Sequence, residues 1–291
     1  MTKQRHAYLL FFMVLFSLTA CSSEQSVSEG FSLEQETKSK AINILRSGLE
    51  DQNFWPSMHA AEGLTKAGYG AETREWLEAR LSDETDDARR AGIARELVRA
   101  GELSKEDILA ELLTKDIVAI RIAAAEGLYK VAKVGDIDAV NRAFQSLEDV
   151  VLHLMAAGVL VRQGDMEALE AIRNTYASGN GEAIRIGSWL LGRVGTSDDI
   201  PLLRARLDDA PDALIRSYIH HSMAALGDEE ALNILANNLS SDDISIRSYA
   251  TIFAEEVSAL KLTPKLIEML DDPVTDIRYR AATTLLMFDL N

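Results

Sequence analysis

Of the 291 residues only one is cysteine, five are proline, five are histidine, and aromatic side chains make up 6%. A single thiol excludes an internal disulfide framework. There is no His-x-x-x-His pair, no glycine-rich phosphate loop and no Ser-His-Asp order with local support, so the sequence names no cofactor and no metal site. Basic residues are scarce beside acids, 30 against 46, which sets a formal net charge of −16. Such a surface repels polyanions and argues against nucleic acid as a partner. Runs rich in β-branched and aromatic residues are also missing, which leaves little for a sheet.

What is present is a repeat. Ser57, Arg90, Arg121, His153, Arg185, Arg216, Arg247 and Arg278 mark the same register at spacings of 31 to 33 residues. The clearest copy is Ile120-Arg121-Ile122-Ala123-Ala124-Ala125-Glu126-Gly127-Leu128. A fixed period of this size signals stacked repeats, each too small to bury its apolar face alone. Three and four residues past the marker stand small or apolar residues, as in Ala60-Ala61, Ile93-Ala94, Ala124-Ala125, Ala156-Ala157 and Ala281-Ala282. Seven residues past it stand Leu64, Leu97, Leu128, Leu160 and Leu285. These spacings share one helical face and predict a buried stripe. A turn such as Gly135-Asp136 or Gly227-Asp228 follows, then a second amphipathic helix capped by the aspartate. Thr263-Pro264 opens another second helix, with proline pre-set for the first turn. In the unit of Arg185 the run Leu190-Leu191-Gly192 falls one residue early, a register change.

The Ile-Arg-x-x-Ala-Ala-x-x-Leu core and the Gly-Asp turn resemble the HEAT-like repeat family, in particular its short bacterial form also seen in phycobilin lyases. The resemblance spans about Leu33 to Asn291 and implies an all-α fold: an α-α superhelix, or armadillo/HEAT-type solenoid, of about eight two-helix repeats over residues 32–291. It carries no particular activity. HEAT proteins that hydroxylate deoxyhypusine hold iron on repeated His-Glu pairs, and this chain has no His-Glu dipeptide. In related solenoids the second helices line the concave surface, so the same is expected here. A helix from Leu33 to about Leu49, opened by a Ser32/Gln35 capping box, is expected to cap one end, and the last marker helix the other.

Residues 1–20 stand outside the repeats. Lys3 and Arg5 precede an apolar run from Tyr8 to Leu18, too short for a confident span and read as a secretory signal. Leu18-Thr19-Ala20-Cys21 resembles a bacterial lipobox, which implies cleavage before Cys21, lipid on that thiol and a stable anchor through several acyl chains. Serine at position 22, where an aspartate would matter, resembles the rule for outer-membrane sorting in a host with two membranes, the protein then facing the periplasm. Residues 21–31 are Ser/Glu-rich and read as a flexible tether. Removal of residues 1–20 leaves 28 basic and 46 acidic residues, a balance of −18.

Several constellations are candidates for function. Acids precede the markers (Asp86, Asp87, Asp116, Asp149, Asp212, Asp242, Asp243, Asp276), and are read as an Asp–Arg ladder with helix caps. Glu62, Arg95 and Glu126 alternate in charge and are read as surface pairs. Trp189 and His220 replace the small residue four past the marker, with Tyr218 and His221 nearby, which reads either as repacking or as room for a ligand. Glu106, Asp107 and Glu111 represent an acidic face on the second helices, open to a partner or a cation. Together these predict a non-catalytic, membrane-anchored scaffold that holds another protein. The alternatives are a lyase-like enzyme with a pocket at Trp189 and His220, and a carrier of small ligands or cations.

Overall fold

The computed structural model describes residues 31–290; the expected signal peptide, nearly all of the expected tether and Cys21 lie outside the described residues. These residues form an all-α superhelix of HEAT-like type, built from sixteen α-helices. In chain order they are α1 (Gln35–Gly48), α2 (Phe54–Leu64), α3 (Gly70–Asp83), α4 (Asp87–Arg99), α5 (Glu106–Leu112), α6 (Val118–Lys130), α7 (Ile137–Gln145), α8 (Val150–Arg162), α9 (Met166–Ser178), α10 (Gly181–Val194), α11 (Ile200–Arg204), α12 (Ala213–Ala225), α13 (Glu229–Asn238), α14 (Ile244–Val257), α15 (Thr263–Glu268) and α16 (Thr275–Leu290). The even-numbered helices carry the markers. Among the described residues no helix is long and apolar enough to cross a membrane.

The expected stripe is the core. Leu64, Leu97, Leu128, Leu160 and Leu285 are exposed by 4% or less, and the paired small residues ahead of them are buried too. Aspartates explain the helix starts. Asp86, Asp149, Asp212 and Asp243 accept hydrogen bonds from first-turn N–H groups of α4, α8, α12 and α14, and Asp136 and Asp228 do so for α7 and α13. Their carboxylates satisfy donors that a helix start leaves open. The Asp–Arg ladder forms only in part. Arg121 reaches Glu148 at 2.8 Å and Arg247 reaches Asp272 at 2.8 Å in the next unit, while Arg90 and Arg185 pair with Asp87 and Glu182 in their own first turns. Two expected caps do not form. Ser32 turns to the Leu33 carbonyl and to Asp289, so α1 begins without a capping box, and the Thr263 hydroxyl is buried with no hydrogen-bond partner.

The main departure is at the ends. The even helices pack side by side from α2 through α16, and α16 then packs against both α1 and α2. The array therefore closes into a ring, with the even helices inside and the odd helices outside. The two expected end caps are halves of one repeat: α1, first among the described helices, is the outer partner of α16, the last of them. The seam between them is closely fitted. A Cβ on Gly63 would overlap Thr283 Oγ1, and one on Gly48 would stand 2.6 Å from the Ala60 Cβ and 2.7 Å from the Tyr279 ring. Asp289 accepts from the Leu33 N–H and from Lys38 Nζ, both at 2.6 Å. Tyr279 donates to Asp51 at 3.0 Å, and Lys40 lies 2.7 Å from Asp271.

Two substitutions test this packing. Leu128→Ala empties a fully buried position and is expected to destabilise the fold by about 2–5 kcal/mol; an unchanged urea midpoint would contradict the assigned helix face. Gly63→Val forces a side chain into the seam, and overpacking of this kind costs about 1–3 kcal/mol. Thermal unfolding should register the loss, whereas full stability would mean that α2 and α16 do not meet closely.

Candidate functional site

Short turns join outer to inner helices, so the inner helices all run one way and one side of each faces the ring centre. This is the reverse of the expected layering, in which the second helices would have lined the concave side. The centre is a cavity of about 640 Å³ walled by all eight inner helices. That size lies in the range of small-molecule sites, roughly 300–1,000 Å³. Facing residues recur two, five and nine places after the marker. On α2 they are His59, Glu62 and Lys66 (the last in the turn after the helix); on α4 they are Gly92, Arg95 and Arg99.

The charges on this wall are paired and partly buried, which corrects the reading of Glu62, Arg95 and Glu126 as surface pairs. Glu62 lies 3.1 Å from Lys66 and 3.2 Å from Arg99. Lys66 continues to Glu255 at 2.9 Å, across the seam. Behind the wall Glu96, fully buried, binds Arg95 at 2.6 Å and Arg99 at 2.8 Å. Burial opposes the charge on Glu62, yet Lys66 and Arg99 hold its carboxyl well below the usual range. The nearby Lys130 ammonium lowers the Glu126 carboxyl in the same way. At the seam His59 Nδ1 lies 2.6 Å from Asp276 Oδ1, and Arg280 Nε donates to the other oxygen at 2.8 Å. Burial, with the Arg280 charge, lowers the His59 pKa against the pull of Asp276.

Aromatic rings line the opposite arc. Tyr129 and Trp189 lie 5.2 Å apart between centroids. Arg162 sits 4.5 Å over Tyr129, and Arg193 sits 4.3 Å over Trp189 while pairing with Glu256 at 3.0 Å. Tyr218 and Tyr249 lie 4.5 Å apart on the next two inner helices.

The predicted residues separate. Trp189 and Tyr218 line the cavity, but His220 and His221 do not. The cause is the register change: α10 presents Arg185, Ile186, Trp189 and Arg193, one place early, so Trp189 stands in the row of Glu62, Arg95 and Glu126. His220 is not shifted; it stands in the alanine row, turned towards Arg204, Asp228 and Glu230 on the outer layer. His221 is fully buried between Phe253, at 5.3 Å, and Asn238, whose Nδ2 lies 2.9 Å from Nε2. Glu106, Asp107 and Glu111 belong to the outer helix α5, outside the ring. Glu106 accepts from the Gly135 N–H at 2.7 Å, where the backbone turns with φ +59, and Glu111 pairs with Lys115 at 3.1 Å.

The repeat also carries a row of cations outside the expected candidates. Lys66, Arg99, Lys130 and Arg162 stand nine residues past their markers, and Arg193 eight past in the shifted unit. All five end their inner helices or follow directly, where the carbonyl end of the helix dipole favours positive charge. The spacing of 31 to 33 residues was the signal.

No family model matches the chain, and no curated protein matches it. Solved structures with a similar fold include human deoxyhypusine hydroxylase in complex with glycerol, at 15% identity over 88% of this chain and 98% of that one, TM-score 0.43. Another is the complex of CpcE and CpcF of phycocyanin lyase from Nostoc sp. PCC7120, at 19% identity over 90% and 98%, TM-score 0.37. These likenesses concern the fold alone. They correct one expectation, that the protein is non-catalytic, because repeats of this type also occur in proteins named as a hydroxylase and a lyase.

The buried histidine predicts a pH effect. Burial, with His220 beside it, lowers the His221 pKa to about 3 from an ordinary 6.5. Between these values the unfolded chain holds a proton that the folded chain excludes. Stability is therefore full above about pH 6.5 and falls as pH drops, by up to about 1.4 kcal/mol per pH unit for this group. Urea midpoints measured near pH 7 and near pH 5 should differ less in His221→Gln than in the parent; an equal difference in both would contradict the assignment.

Proposed function

We propose that the protein binds a small molecule in the central cavity of its ring. The observation that carries this is the wall itself: charged and aromatic side chains from all eight inner helices converge on one cavity of about 640 Å³. A repeat array needs only apolar contacts between neighbours to be stable. Charged groups drawn into a half-buried wall cost desolvation, which a merely structural interior avoids. His59, held by Asp276, and Arg280 face the same space.

A second reading is supported by one rim. Trp55, Ile117, Leu147, Val150 and Ile244 lie at the starts of inner helices and are exposed, Leu147 completely. Apolar groups gathered at one end favour contact with another protein. This keeps the idea of a scaffold, with the contact at the rim and not on a concave face. We also propose that the ring is exported and held at a membrane by lipid on Cys21, on the strength of Lys3, Arg5, the apolar run Tyr8–Leu18 and the Leu-Thr-Ala-Cys ending.

Two measurements check these readings. Phenylnaphthylamine, a neutral fluorescent probe, should bind one molecule per chain. Trp189→Ala should weaken it about three- to tenfold, as loss of one aromatic contact implies. Reversal of Glu106, Asp107 and Glu111 to lysine, outside the ring, should leave it unchanged; if the reversal acts and Trp189→Ala does not, the site is not the cavity. Separately, labelled palmitate should enter the parent chain and not Cys21→Ser, and labelling of both would remove the anchor.

A further inference from the structure

We propose that Arg162 and Tyr129 form the seat for an acidic group, a carboxylate, sulfonate or phosphate, on the molecule that occupies the cavity. The proposal rests on the reading of the cavity as a binding site and assigns the chemistry of its ligand.

Two independent observations meet at this point. The first is an unspent donor. Tyr129 is 1% exposed, and no acceptor takes its hydroxyl hydrogen, the Arg162 guanidinium beside it being itself a donor. A buried phenol in this state is unusual, because sealed polar groups are nearly always satisfied by protein, water or ligand. Burial raises the Tyr129 pKa, so the oxygen keeps its proton and serves as a donor. The second is an unspent cation. In the basic row Lys66 pairs with Glu62 and Glu255, Arg99 with Glu62 and Glu96, Lys130 with Glu126, and Arg193 with Glu256. Arg162 alone in that row has no carboxylate partner among the described residues. Its guanidinium rests 4.5 Å over the Tyr129 ring.

The two groups are therefore adjacent, both are donors, and beyond the Tyr129 oxygen that Arg162 reaches no acceptor among the described residues serves them. An anion with two or more acceptor oxygens is the complement: one oxygen takes the phenol proton's hydrogen bond, and another takes the guanidinium edge. Arg162 is exposed, so it can swing off the ring to admit the ligand without disturbing the core. Trp189, 5.2 Å from Tyr129, borders the same place and offers a flat apolar surface. The ligand that fits is an acid attached to an aromatic or otherwise planar body. Its charge would be met inside the ring of a chain whose net charge of −16 otherwise repels anions.

The test compares two probes that share one aromatic framework. Anilinonaphthalene sulfonate carries an acid; phenylnaphthylamine does not. The parent protein should bind the sulfonate about tenfold more tightly than the neutral probe, the ratio expected of one charge-assisted contact. Arg162→Gln should abolish that preference, weakening the sulfonate far more than the neutral probe. Arg162→Lys should keep part of the preference, and Tyr129→Phe should reduce it about threefold with the helical dichroism intact. Equal affinity for the two probes in the parent, or a preference that survives Arg162→Gln, would overturn the proposal while leaving the cavity as a site. If neither probe binds at one per chain, the cavity reading itself fails and this inference with it.

Discussion

The contact of α16 with α1 and α2 is the constraint on which the rest depends. Stability of a repeat array is close to a sum of unit terms and nearest-neighbour terms. Closing the array adds one interface without adding a repeat, and it removes both exposed ends. Here closure is also required by the division of the chain, because α1 and α16 are the two halves of one unit. Neither half has a full partner until the ends meet. Asp289 illustrates the point, since one carboxylate near the C-terminal end holds both the Leu33 N–H and Lys38 near the start.

Closure also converts a concave surface into a cavity, and that changes the energetics of every charge on the inner wall. On an open surface Glu62, Arg95 and Glu126 would be solvated pairs of little consequence. Inside a ring they are partly withdrawn from water and must be matched. Glu96, fully buried, supplies the second layer that Arg95 and Arg99 need. The aromatic arc is organised by the same pressure: Arg193 lies over both Trp189 and Phe253 while it pairs with Glu256, so ring faces and a carboxylate share the cover of one cation.

Much of the fold was legible in the sequence, for a physical reason. Period, buried stripe and capping aspartates are local, and each of Leu64, Leu97, Leu128, Leu160 and Leu285 reports its unit separately. Ring closure is not local. It depends on small angles summed over eight repeats, and nothing near Gly63 announces that Thr283 will lie against it. Layering is not local either: both helices of a repeat are amphipathic, and family likeness puts the acidic second helices on the concave side where the ring puts the marker helices. Trp189 lines the cavity and His220 does not, because the register of α10 is shifted by one residue and that of α12 is not. One residue of shift is about 100° of helix, enough to separate cavity from core. The cation row from Lys66 to Arg193 required only that the period be followed to the last turn.

The most direct measurement is a distance between the chain ends. Spin labels placed at Lys40 and Asp271, which pair across the seam, leave the core untouched. Dipolar spectroscopy should then give one narrow distribution centred below about 25 Å, as label arms on contacting residues allow. An open array of the same repeats, with helices spaced about 8–10 Å apart, would put its ends roughly 60 Å or more from each other. A distribution centred at such distances would contradict the ring, and with it the cavity on which the functional reading stands.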